Sequence, residues 1–167
     1  FTIFACNKNE KTQSSFKTAY LDTAQLLEGY DKLKVEDEKF KVKSQEMGRP
    51  LEAKVNAFKS EAQNFQANAQ AKGQAWAQQK GAELQQREQQ ILQERDQVLA
   101  QIQTEGGKLQ DTLIKQVKKH IREFGKKQKF DYIFTTSEDA PSVIYAKDSY
   151  NLTDKLLKEL NDQYKTT

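Results

Sequence analysis

Proline and glycine are scarce in this chain. Its 167 residues include two prolines, Pro50 and Pro141, with none from Leu51 to Ala140, and seven glycines. Apolar residues are also few: 36% are hydrophobic against 31% charged, and the mean hydropathy is −0.92. A compact globule needs more apolar material to fill its centre. Such a composition fits either disorder or long exposed helices. The lack of breakers over so long a span selects helices. A single cysteine, Cys6, excludes an internal disulfide. No apolar stretch reaches the roughly 18 residues that a membrane-spanning helix needs. The net charge of +3 is mild and does not match the heavy positive balance of a dedicated nucleic-acid binder.

Catalytic signatures are missing as well. The one histidine, His120, stands beside Ile121 in a helical stretch and reads as a coiled-coil flank residue. There is no glycine-rich phosphate loop and no Cys/His metal spacing. The acidic residues fall at helix-surface intervals, which suits pairing at i, i+4 better than acid–base work. The expectation is a protein that is not an enzyme and needs no cofactor or metal.

The chain does not start with methionine. Its apolar opening, Phe1-Thr-Ile-Phe-Ala-Cys6, runs directly into the polar stretch Asn7–Ser15. This reads as the tail of a secretion signal. Ile3-Phe4-Ala5-Cys6 resembles a bacterial lipobox, in which Cys6 carries the lipid. The alternative is a free cysteine in a disordered end. Residues 1–15 are therefore expected to be a signal remnant and lipid tether.

Phe16–Leu21 reads as a strand. Asp22 is placed to cap a helix from Thr23 to about Tyr30, with Gln25 three residues on to return the bond. From Asp31 to about Phe124, Ala, Gln, Glu, Lys and Leu dominate. Apolar residues recur at helical steps, as in Leu33, Phe40, Met47, Leu51, Val55 and Phe58, and again in Leu84, Ile91, Val98, Ile102, Leu109 and Leu113. Four-residue steps exceed the heptad mean, so the supercoil is expected to relax or turn right-handed around them. Two narrow stripes of this kind need each other. Gly73 and Gly81 bracket the middle, and a reversal near residues 78 and 79 gives facing numbers that sum to about 157. That register pairs Phe40 with Val117, Val55 with Ile102, Phe58 with Leu99 and Phe65 with Leu92. Each arm has about 45 residues, or roughly 65–70 Å. Pro50 is expected either to kink the first arm around Met47–Leu51 or to open a new helix there. Under the same register Gly106-Gly107 faces Gly48–Leu51, which puts two weak points opposite each other.

Beyond the hairpin, Asp131–Thr135 and Ser142–Ala146 read as strands joined by the loop Ser137–Pro141. Asn151 is expected to cap a helix with Leu152, Leu156, Leu157 and Leu160 on its apolar side. The fold class is thus α+β, mainly α. A hairpin arm spans 31–129, and a small body is built from 16–30 and 130–164. A body that small, with open sheet edges, is expected to oligomerise.

These residues resemble the Skp/OmpH family of periplasmic outer-membrane-protein chaperones. The resemblance is carried by Ala19-Tyr20-Leu21-Asp22-Thr23 followed by Leu26-Leu27, by Asp131-Tyr132-Ile133-Phe134, by Val143-Ile144-Tyr145-Ala146, and by Asn151-Leu152-Thr153-Asp154. It spans about residues 16–164. What it implies is a homotrimer whose bodies join in a barrel and whose arms enclose an unfolded outer-membrane protein, without ATP. The implied location is the periplasm. The sequence departs from the family in Asn151, in Pro50 and in the lipobox at Cys6, which adds the expectation of an outer-membrane lipid anchor where the family's usual members are soluble. The competing reading is a lipid-anchored structural subunit of an outer-membrane assembly complex. Nucleic-acid binding is not expected.

Two regions are candidates for binding. The uncharged, Ala- and Gln-rich end of the arm offers Phe65 and Trp76 to a client, unless they form the core of the hairpin. Lys115, Lys118, Lys119, Arg122, Lys126 and Lys127 form a basic patch suited to speeding client capture or touching anionic headgroups. The alternative is that these cations simply complement a helix C-terminus.

Overall fold

The computed structural model describes residues 16–136 and 143–166, so the expected tether, lipobox and loop 137–141 lie outside it. The order of elements is β1 (Thr18–Asp22), α1 (Thr23–Gly29), α2 (Asp31–Lys72), α3 (Gln74–Lys127), β2 (Tyr132–Thr136), a 3₁₀ turn (Asp148–Tyr150) and α4 (Thr153–Lys165). The chain forms two compact units, one of residues 1–30 with 118–167 and one of residues 31–117.

In the first unit β1 and β2 run parallel, from Thr18 opposite Tyr132 to Asp22 opposite Thr136. Parallel strands cannot be joined by a tight turn, and here the connection is the whole of α2 and α3. The alternation of β1 turns Ala19 and Leu21 inward, where they join Leu26, Tyr30, Phe124, Leu156 and Leu160 in the core. The expected third strand over Ser142–Ala146 does not form among its described residues; Ile144 and Tyr145 stand 97% and 82% exposed. Without a partner strand, a short β-prone segment has nothing to satisfy its backbone. On its other side β1 makes a single bridge, from Tyr20 to Asn151.

α3 ends in a tight reversal. The Lys129 N–H bonds to the carbonyl of Lys126 and the Phe130 N–H to that of Gly125, with Lys129 at φ 56°. This is a Schellman closure with a lysine where glycine is usual. Lys17 secures it: its Nζ donates to the Gln128 carbonyl at 2.6 Å and lies 4.4 Å from the centre of the Phe130 ring. Its backbone N–H meets Asp131 Oδ2 at 2.7 Å.

The two expected helix caps are both altered by tertiary contacts. Asp22 does cap α1, its Oδ1 accepting from the Gln25 N–H at 3.0 Å. The Gln25 side chain does not return the bond; its Nε2 donates to Asp154 instead. The Asp22 N–H goes to Thr153 Oγ1 at 2.8 Å. Asn151 is not the N-cap of α4, which is Leu152. Its Oδ1 works from one residue further out, accepting from both the N–H and the Oγ1 of Thr153. Thr153, 1% exposed, is therefore the polar joint between β1 and α4. Replacing it by valine keeps the shape but strands the Asp22 N–H. Thr153→Val should cost about 1–3 kcal/mol of stability, read as a lowered unfolding midpoint in denaturant with unchanged slope.

Candidate functional site on the helical hairpin

In the second unit α2 and α3 lie antiparallel as a hairpin. α2 opens with Asp31 in its first turn, where a carboxylate favours the helix dipole. It ends at Gly73, whose φ of 85° is open to glycine at little cost. The Gly73 carbonyl then accepts the Ala77 N–H and begins α3. The reversal is therefore centred on Gly73 and not on residues 78 and 79. The expected break at Pro50 is absent, because α2 runs through it. Pro50 and Glu46 both face solvent, so water can satisfy the carbonyl that the missing N–H leaves free.

The expected stripe is present but shifted in register. Leu33, Phe40, Met47, Leu51, Val55 and Phe58 all lie half-buried along the seam. No residue of α2 is fully buried, whereas α3 buries Leu84, Leu113 and Val117, so the two sides of the seam are shielded unequally. Polar rungs cross the seam: Lys32 Nζ to Gln116 Oε1 at 2.8 Å, Lys43 to Glu105 at 2.6 Å and Lys54 to Glu94 at 2.7 Å. Facing numbers in each rung sum to 148. Nearer the turn Glu61 pairs with Arg87 and Lys80. Phe40 packs on Gly106, not Val117. Gly106-Gly107 therefore does not face Gly48–Leu51. Leu92 and Leu99, expected opposite Phe65 and Phe58, are exposed instead.

The sequence-predicted site residues are placed as follows. Phe65 and Trp76 stack with centroids 5.9 Å apart, and Lys72 Nζ lies 4.9 Å from the Trp76 ring centre. Both rings are half-buried. The exposed apolar side chains of the arm are others: Val35, Val42, Leu92 and Leu99, with Val42 at 54% and Leu99 at 57%. Each pair is spaced by seven residues and lies just off the seam stripe, and that spacing was visible in the sequence. Lys115, Lys118, Lys119, Arg122, Lys126 and Lys127 are all exposed on α3. Only Lys126 and Lys127 lie in its last turn. The dipole fades within one turn, so it does not account for the other four. His120 Nε2 is 3.9 Å from Glu159 on α4 and has no hydrogen-bond partner. Among the described residues no group of His, Cys, Asp and Glu could hold a metal ion, and no helix is long and apolar enough to cross a membrane.

A model of the outer membrane protein (OmpH-like) family matches residues 17–160. The chain belongs to the OmpH-like family. This OmpH-like fold is similar to a structure from Caulobacter crescentus designated an outer membrane chaperone (OmpH-like). The TM-score is 0.76 at 16% identity, covering 89% of this chain and 85% of that one. At that identity the likeness carries the fold alone. No curated protein matches the chain.

One rung of this OmpH-like hairpin carries a carboxyl whose acidity is changed by its partners. Hydrogen bonds from Lys43 and Gln101 hold the Glu105 carboxyl below its ordinary value of 4.5. A carboxyl depressed by folding stabilises the folded state above its ordinary value, and that contribution is lost as pH falls through the lowered one. Thermal stability should therefore decline on acidification from about pH 4.5 downward, and Glu105→Gln should flatten the decline in melting curves taken across that range.

Proposed function

We propose that the protein is an ATP-independent holdase that keeps unfolded outer-membrane proteins soluble in the periplasm, without chemical catalysis. Membership of the OmpH-like family supports a chaperone role in the cell envelope. The observation that carries the finer reading is the unsealed arm. α2 buries no residue fully, while Val35, Val42, Leu92 and Leu99 stay exposed beside charged neighbours. Scattered apolar contacts on a polar surface suit a client with no fixed shape, because many weak contacts add up while each releases easily. Phe65 and Trp76 extend this surface toward the turn. The basic patch, Lys115 to Lys127, speeds capture by long-range attraction that salt weakens.

The working unit is a homotrimer joined through the bodies. Support comes from the apolar surface of the first unit. Phe16, Tyr132 and Phe134 form a ring ladder with centroids 6.4 and 5.8 Å apart, all exposed, and Ile144 and Tyr145 of the same unit are exposed as well. β2 pairs on one edge only among the described residues, and an open edge beside exposed aromatics favours association. Lipid anchoring at Cys6 would hold this trimer at the outer membrane.

Two experiments test the reading. Joining Lys54 to Glu94 through a short glycine linker removes the outer arm while keeping the rungs below it. The shortened protein should stay oligomeric but fail to suppress light scattering by a diluted, urea-unfolded β-barrel protein. Full suppression by the shortened protein would end the holdase reading. Ile144→Asp, at a site too exposed to affect folding of one chain, should shift the sedimentation mass from trimer toward monomer.

A further inference from the structure

We infer that the hairpin's ladder of lysine rungs does not determine its register and that Phe40, packed on the bare backbone of Gly106, selects it. The rungs lie eleven residues apart on both helices: Lys32, Lys43 and Lys54 on α2, and Gln116, Glu105 and Glu94 on α3. Eleven residues make three turns, so a residue returns to the same face at that step. The same ladder therefore fits other registers. One repeat along, Lys54 would meet Glu105 and Lys43 would meet Gln116, with Lys32 set against Lys127. One repeat back, Lys32, Lys43 and Lys54 would meet Glu105, Glu94 and Glu83. The latter has three charged rungs in this ladder where the observed register has two, yet it is not adopted. Glu61–Arg87 is a further ion pair of the observed register that lies outside the eleven-residue repeat, but both side chains are partly in water, where such a pair contributes little. In the observed register Glu83 has Phe65 as its counterpart and turns to Lys80 at 3.1 Å. The apolar stripe is a weak guide, because much of it also returns at eleven residues, as in Phe40 and Leu51, Met47 and Phe58, and Ile91, Ile102 and Leu113. The pairs Phe40–Val117 and Phe65–Leu92 belong to a register one such repeat from the real one.

The aromatic–glycine pairs do not share this degeneracy. Phe40 lies against Gly106 and Phe65 against Gly81. Both pairs are separated by 25 residues along their helices, which is not a multiple of eleven, so both are satisfied together in the observed register and in neither slipped one. A slip puts Phe40 opposite Val117 or Arg95. The fit at Gly106 is close: a Cβ there would stand 3.0 Å from Cε1 and 3.2 Å from Cζ of Phe40. At Gly81 a Cβ would sit 3.8 Å from the Phe65 ring, an ordinary contact. Phe40–Gly106 is therefore the discriminating pair, and the turn at Gly73 agrees with it.

Thiol cross-linking of the full chain in a Cys6→Ser background reads the register directly. Lys54→Cys with Glu94→Cys reports the observed register. Lys54→Cys with Glu105→Cys or with Glu83→Cys reports a slip, since eleven residues are about 16 Å along the axis, beyond a short bis-maleimide. The parent should give the 54–94 product and neither of the others. Gly106→Val should reduce that product and bring up a slipped one. If Gly106→Val fails to fold by circular dichroism, Phe40→Ala, which removes the ring without adding bulk, should give a mixture of registers. A 54–94 product that remains the sole one in the folded Gly106→Val protein, or in Phe40→Ala, would overturn the inference and give register choice to the turn or the chain ends.

Discussion

Two helices that are apolar on one narrow face only must cover each other, and the second unit of this protein follows from that constraint. Neither α2 nor α3 carries enough apolar surface to be stable alone, so each supplies the other's partner across an antiparallel seam. The shielding is unequal: α3 buries Leu84, Leu113 and Val117, while α2 buries none of its residues fully. A helix pair with this character is stable enough to persist and still presents apolar atoms at its flanks. On the holdase reading proposed above, such a surface must remain partly apolar without aggregating, which is what charged residues beside Val42 and Leu99 would provide.

The first unit solves a different problem. Its core is small: Leu21, Leu26, Leu156 and Leu160 are its most buried leucines. So few apolar groups need polar joints to hold them in place. Thr153 takes the Asp22 N–H on one side and bonds Asn151 on the other, tying the end of β1 to the start of α4. The Lys17 contacts with Gln128, Phe130 and Asp131 do the same for β2. These joints connect segments more than a hundred residues apart in sequence, so the parallel pairing of β1 and β2 rests on chemistry that no local pattern displays.

Much of the fold was legible because periodicity is a local property. The apolar steps from Leu33 to Phe58 and from Leu84 to Leu113 located both long helices, and the β-branched and aromatic residues of Phe16–Leu21 located β1 to within two residues. Caps were legible by residue type but not by partner: Asp22 was the right cap, while Gln25 and Asn151 turned to tertiary partners that sequence alone does not reveal. The strand expected over Ser142–Ala146 failed because strand propensity describes fitness for a sheet and not the presence of a neighbour. For the candidate site, the stripe concealed what lay just beside it. Val42 and Leu99 sit one residue from seam or rung positions, and attention to the seam passed over them.

By itself the sequence determined that the chain would be mainly helical, that it would double back, and that its ends would build a small α/β body, because these follow from breaker scarcity, helical periodicity and turn residues. Tertiary structure alone decided the register. A stripe and a rung ladder that both largely repeat every eleven residues are only weakly changed by a slip of three turns. A ring resting on a residue with no side chain is displaced outright, and that close approach exists only once the two helices have met.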